Sequence, residues 1–444
     1  MKKRTLVLSG IGLGALLFTA GAFGVVRSRD HSDAPSFAVA APGAASSLAH
    51  VSGATLDQTI KGLQDHLKAT PGDYVSWSTL GLEYVQQAKV TVNSDFYPLA
   101  EGVLKKSLTI DDADNFLAYA GLAALANARH DFAGAKTYAK EGLAINSYSA
   151  ILYGALSDAE TQLGDYPTAF ADVQRMVELS PDTSSLSRAS YTWELRGDNE
   201  RAKTLMQQAL DDAPNGADRA FALYYLGELA FNAGDANTAL GDYRSALEAS
   251  PGDSAALAGK AKAEAALGQT LTALDDYATV VQKTPEPGYL LEYGELLDSL
   301  GRTTEAATQY AVFETTQTLF EANGVEPDST ATLFYADHGN PAKALANAEK
   351  GIATRPFLVM YDAYAWALHK NGRDAEALTA IDRALATGLR NATFHYHKGM
   401  IELSLGNTDA ASEELSTALK INPDFSPLGV PIATAQLAKL GTAP

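Results

Sequence analysis

The sequence predicts an all-α protein, a right-handed α-solenoid of about ten helix-turn-helix repeats preceded by an N-terminal apolar helix. Three observations predict it. Alanine and leucine dominate from about residue 55 to 440, no alternating run of β-branched residues exceeds a few positions, and an alanine recurs at intervals close to 34 residues. A length of 444 residues then reflects repeat number and not the volume of one core.

The elements follow in chain order. Lys2, Lys3 and Arg4 precede an uncharged run, Thr5 to Val26, of 22 residues. At helical rise it spans about 33 Å, enough to cross a bilayer core. Residues 1–26 are therefore read as a signal anchor or signal peptide, with the positive cluster left in the cytoplasm and everything after Val26 outside it. Ala20-Gly21-Ala22 offers a small-x-small cleavage pattern, whereas Phe23, Val25 and Val26 prolong the apolar run as an anchor would. Localisation is expected at the bacterial cytoplasmic membrane as a single-pass protein, or in the periplasm or medium after cleavage. Gly10 and Gly14 form a GxxxG pair that would let two such helices approach. Residues 27–54, rich in Ala, Ser, Pro and Gly without helical period, read as a flexible linker.

Thr59 to Lys68 reads as a lone helix before Pro71. The repeats follow, marked by Ala100, Ala135, Ala169, Ala202, Ala239, Ala273, Ala306, Ala344, Ala377 and Ala411 at intervals of 35, 34, 33, 37, 34, 33, 38, 33 and 34. Pro181, Pro214, Pro251, Pro285, Pro356 and Pro423 should end second helices, because proline cannot extend them. Pro431 to Leu440 reads as a capping helix whose Ile432, Ala433, Leu437 and Leu440 cover the last hairpin. Two departures stand out. VQQAKVTVNSDFY inserts about seven residues before Ala100 and predicts an extended inter-helix loop over 85–97. Thr303 to Asn323 is a long second helix, read as a joint dividing the array into 55–322 (a half repeat plus repeats one to seven) and 323–440 (repeats eight to ten plus the cap).

The clearest copy of the repeat places Leu223, Leu226, Gly227, Ala230, Gly234, Ala239, Tyr243, Ala246 and Pro251 at the nine signature positions of the tetratricopeptide repeat, which the chain resembles from about 55 to 440. The later blocks LFYADHGNPAKAL, DAYAWALHKNGRDAEAL and FHYHKGMIELSLGN are similar to exported bacterial repeat proteins without an assigned role. The resemblance implies that the first helix of each repeat lines a concave groove. Its offsets carry over to Asp158, Tyr191, Glu194, Phe221, Tyr224, Glu228, Phe231, Glu295, Asp298, Asp337, Asp362, Trp366, His369 and Lys370 as groove candidates. The family's clamp for chaperone tails needs Lys, Asn and Arg in consecutive repeats, and here Lys262 and Lys370 stand alone.

Charge and composition narrow the chemistry. Lys+Arg 34 against Asp+Glu 53 gives a net charge of -19, which repels nucleic acid and anionic lipid. With no cysteine, disulfides, thiolate metal sites and a lipidated anchor are excluded. His395 and His397, two apart on a helix, point about 200° away from each other and cannot share a metal. No phosphate-binding GxxxxGK[ST] and no G-x-S-x-G elbow occurs. Neither a metal, a cofactor nor catalysis is expected. The expected function is a protein-binding scaffold or assembly adaptor of the cell envelope, its acidic, aromatic-bearing groove suited to basic or apolar peptide or helix segments. Two other readings stay open: an enzyme or accessory subunit acting on envelope polymers through the 85–97 loop and Asp337/His338, and a regulator sensing a ligand at the 303–328 joint.

Overall fold

The computed structural model describes residues 53–91, 93–322, 325 and 328–441. The expected membrane helix lies outside the described residues, as does the expected linker up to residue 52, while Gly53 and Ala54 begin a helix. Among those that are described, no helix is long and apolar enough to cross a membrane.

Every regular element described is helical, and 22 helices follow one another. After a single α1 (Gly53–Ala69), ten hairpins pair α2 (Tyr74–Thr91) with α3 (Phe96–Ile110), α4 (Phe116–Ala128) with α5 (Phe132–Ile145), α6 (Ala150–Gln162) with α7 (Tyr166–Leu179), α8 (Thr183–Glu194) with α9 (Asn199–Asp211), and α10 (Gly216–Asn232) with α11 (Ala236–Ala249). The series continues through α12 (Ser254–Ala266) with α13 (Thr270–Lys283), α14 (Pro287–Ser299) with α15 (Thr303–Ala322), α16 (Ser329–Asp337) with α17 (Pro341–Thr354), α18 (Leu358–Lys370) with α19 (Asp374–Leu385), and α20 (Ala392–Ser404) with α21 (Thr408–Ile421). A last helix, α22 (Gly429–Leu440), closes the chain.

Local chemistry sets these boundaries. Asp131, Asp235, Asp253, Asp328, Asn115, Asn340 and Asn391 each accept a backbone N–H three residues on and so cap a helix start. All ten recurring alanines are fully buried, which lets the two helices of each hairpin approach. Each proline expected to end a second helix stands two or three residues beyond one. The turn inside nine hairpins carries a left-handed residue. It is glycine in eight (Gly164, Gly197, Gly234, Gly268, Gly301, Gly339, Gly372, Gly406) and His130, at φ 63°, in the ninth. Between neighbouring hairpins the Tyr243 ring lies against Gly227 and Gly259, where an added Cβ would come within 2.6 and 2.5 Å of it.

Two sequence expectations are corrected. The insertion before Ala100 is not an extended loop: α2 runs on to Thr91, because VQQAK is a helix-forming stretch whose Val85, Gln87 and Ala88 are buried. Ile432 does not cover the last hairpin but is 42% exposed, while Ala433 and Leu437 of the same helix are fully buried.

The described chain forms two compact units. The first comprises residues 53–192 and 204–218, and the second residues 193–203 and 219–441. In the first, Ala120, Ala123, Ala139, Leu152 and Leu156 form a core between hairpins. In the second, one core extends from Leu290 through Phe313, Phe334, Trp366 and Leu415 to Leu437, so residues before and after 323 share it.

Candidate functional site

The first helices of successive hairpins present their polar side chains to one another. In the first unit Asp158 of α6 meets Arg188 of α8. Arg188 Nε donates to Oδ1 at 2.9 Å and Nη2 to Oδ2 at 2.7 Å, while Nη1 donates to the Ser184 hydroxyl at 2.7 Å. Both partners are buried, at 2% exposure for Arg188 and 8% for Asp158, so the pair is spent inside the fold. Lys89 of α2 faces the same pair. Burial pushes its ammonium down to about 7, against the pull of Asp158. Tyr191, the other first-unit groove candidate, is partly exposed.

The second unit holds the rest. Glu228 of α10 accepts from Lys262 Nζ of α12 at 2.8 and 2.9 Å and from the Tyr243 hydroxyl at 2.5 Å. The Lys262 ammonium also lies 4.8 Å above the Phe231 ring centre. Tyr277 OH donates to Glu292 at 3.1 Å and Tyr310 OH to Asp298 at 2.8 Å. Three successive hairpins thus use the tyrosine four residues after the recurring alanine to hold an acid on a first helix, that of the same hairpin for Tyr243 and Tyr310 and that of the next for Tyr277.

Farther along, Trp366 Nε1 donates to Asp337 Oδ1 at 2.9 Å, and Lys370 Nζ lies 3.0 Å from the same oxygen. His397 Nδ1 lies 2.8 Å from Asp362 Oδ1, and His369 Nδ1 lies 2.5 Å from Asp374 Oδ1. The Trp366 ring is stacked against both His397, at 4.1 Å between centroids, and His369, at 4.9 Å. Asp337 and His338 form no dyad with each other. His338 Nε2 is 3.5 Å from Glu295, and its ring packs on Tyr310 at 4.2 Å.

Burial divides the sequence-derived candidates. Asp158, Tyr224, Phe231, Asp362 and Trp366 are all under 9% exposed and serve contacts within the fold. Trp366, read from the sequence as a ligand-facing aromatic, belongs to the second unit's core. Glu194, Phe221, Glu228, Glu295, Asp298, Asp337, His369 and Lys370 keep accessible surface. Lys262, outside any clamp of consecutive basic residues, is paired with Glu228.

The acids interact beyond their contacts. Burial, reinforced by Glu228, pushes Glu194 up to about 7. Burial also takes Glu292 to about 7, with Glu228 and Glu295 adding to the shift and Lys262 opposing it. Glu295 is raised by burial and by Asp337 and Asp298, against the pull of His338. Sequence offsets missed Glu292 because it lies one residue round the helix from the expected groove positions. Arg188 was missed because nothing in its serine-rich surroundings marks a buried cation.

The family model described as tetratricopeptide repeat matches residues 196–254 and 363–424. Those two segments are tetratricopeptide repeats. Solved structures of similar fold include a tetratricopeptide repeat protein from Parabacteroides merdae, 21% identical, covering 59% of this chain and 99% of that one at a TM-score of 0.34. Another is human IFIT1 as a dimer with PPP-AAAA, 14% identical over 82% and 87% of the two chains, with a TM-score of 0.44. Pseudomonas aeruginosa pilF is 16% identical over 48% and 92%, with a TM-score of 0.36. No curated protein matches the chain. The two matched segments include the groove candidates Phe221, Glu228 and Phe231 in one and Trp366, His369 and Lys370 in the other.

Proposed function

We propose that the protein is a non-enzymatic, protein-binding scaffold of the cell envelope that holds a basic polypeptide segment against the first helices of the second unit. The observation that carries this reading is the row of accessible acids on α10, α14 and α16, namely Glu228, Glu295, Asp298 and Asp337, with Glu292 held up near neutrality beside them. Carboxyls raised by burial and mutual repulsion gain most from an incoming cation, so a lysine- or arginine-bearing segment would ionise them and release protons. The repeat family supports polypeptide as the partner class, and the tight internal engagement of Asp337 and His338 with other residues speaks against a catalytic dyad. The run from Thr5 to Val26 after Lys2, Lys3 and Arg4 supports placement of the array outside the cytoplasm on a single-pass anchor.

Crosslinking and capture from membranes, with the full chain and a version lacking residues 1–54, tests both parts. The expected result is a polypeptide partner lost when Glu292 and Glu295 are both changed to lysine, and membrane association lost with residues 1–54. Recovery of the same partner by the charge-reversed protein would sink the acidic-face reading.

A further inference from the structure

The second unit touches itself across a long stretch of sequence. Asn422, the residue that closes α21, is buried and donates its Nδ2 hydrogen to the Phe231 carbonyl oxygen at 2.8 Å, 191 residues earlier. A second contact has the same register. Gly197 lies against Gly388, also 191 residues away, so closely that a Cβ on Gly197 would collide with the Gly388 carbonyl oxygen. Gly234 completes the set, since a Cβ there would stand 3.0 Å from the Ile421 carbonyl oxygen. Equal separations at two consecutive hairpins mean that the turns inside them rest on the segments just after α19 and α21. The seam includes one hydrogen bond and close backbone approaches at glycine, with the Arg390 and Pro423 side chains beside them.

The seam is also tied to the acidic face. Glu194 stands three residues before Gly197, and Glu228 three residues before Phe231, so each closing turn continues the helix turn that bears a groove acid. Any partner that engages Glu194 and Glu228 therefore pulls on the two points where the unit closes.

We propose that this seam is a latch: the second unit exchanges between a closed form, with 197 on 388 and 231 on 422, and an open form that admits the partner to the acidic face. The gating role rests on the partner reading above, and the latch itself does not. Opening is a shift between two packed arrangements, and an altered contact at the seam biases it.

The chain has no cysteine, so Asn237→Cys and Asp424→Cys, at two exposed positions flanking the seam, can carry the only nitroxide labels. Electron–electron double resonance on the full chain should give a dominant short distance. Asn422→Asp keeps the oxygen that accepts from the Asp424 N–H at 2.8 Å but sets a carboxylate against the Phe231 carbonyl, and should raise the long-distance population at least fivefold. Gly197→Ala, acting at the other contact, should do the same. With helical circular dichroism matched to the parent, and with the lower melting temperature expected of alanine at the left-handed Gly197 position, distances that neither variant moves would overturn the latch, as would a shift in one variant alone.

Binding separates the two ideas. A fluorescein-labelled dodecalysine peptide should associate about fivefold faster with Asn422→Asp than with the parent. An opened variant with an unchanged association rate overturns the gating. If the peptide binds neither protein, the basic-partner reading falls and the distances alone decide the latch.

Discussion

Tyr243 on the second helix of its hairpin donates its hydroxyl hydrogen to Glu228 on the first, at 2.5 Å, while its ring sits between Gly227 and Gly259. The bond links a residue placed by packing to one that the repeat offsets assign to the groove. It also holds Glu228 where Lys262 reaches it. Removing only the hydroxyl, as Tyr243→Phe, keeps the ring contacts and takes a donor from an ionised acceptor. Such bonds are worth about 1.5–3 kcal/mol, and denaturant unfolding at pH 8 should show a loss of that order. A variant as stable as the parent would mean that Lys262 alone satisfies Glu228.

His130 occupies the turn position that eight other hairpins give to glycine, at φ 63°. A side chain there crowds the backbone in the left-handed region at about 1–2 kcal/mol, part of which glycine returns through its greater unfolded-state entropy. His130→Gly should therefore raise stability by about 0.5–1 kcal/mol, read as a higher melting temperature. The stack of His130 on Phe132, 5.7 Å between centroids, opposes the gain. A lower melting temperature would show that the stack outweighs the strain.

Arg188 is among the largest fully buried side chains, and its guanidinium has Asp158 as its charged partner. Arg188→Met takes from buried Asp158 its hydrogen-bonded counter-charge and leaves only Lys89 facing it, and losses of about 3–5 kcal/mol are usual for such a break. Pairing it with Asp158→Leu should recover most of the loss, because two apolar side chains then replace two charges. The double variant melting no higher than Arg188→Met would count against a pair-based account.

These residues show how far the sequence could be read. The ten alanines and the prolines report helix approach and helix ends, which are local steric events, so hairpin number and phase could be read directly. Periodicity places a residue on a face, which is how the repeat offsets picked out Glu228, Asp298 and Asp337, all of which keep accessible surface. Periodicity says nothing about which partner a side chain finds 29 to 35 residues away, so Trp366 on Asp337, His397 on Asp362 and Arg188 on Asp158 could not be read. The insertion before Ala100 was misread because its length was visible but its burial was not.

Four glutamates, Glu83, Glu160, Glu194 and Glu292, have their carboxyls raised to about 7, in each case chiefly by burial. Unfolded, they titrate near 4.5. Between these values the folded chain keeps protons that the unfolded chain has released, so stability falls as pH rises. The contribution is complete below about 4.5 and gone above about 7. Glu83 is the cleanest case, at 2% exposure with one carboxylate oxygen lacking a hydrogen-bond partner. Its shift corresponds to a penalty on the order of 3 kcal/mol once it is ionised in place, at about 1.4 kcal/mol per pH unit. The guanidinium midpoint should therefore decline between pH 5 and pH 8. Glu83→Gln, which keeps the shape and removes the charge, should raise the midpoint at pH 8 and leave it nearly unchanged at pH 5. An equal effect at both pH values would assign the change to packing, and a parent midpoint that climbs from pH 5 to 8 would contradict the raised carboxyls altogether.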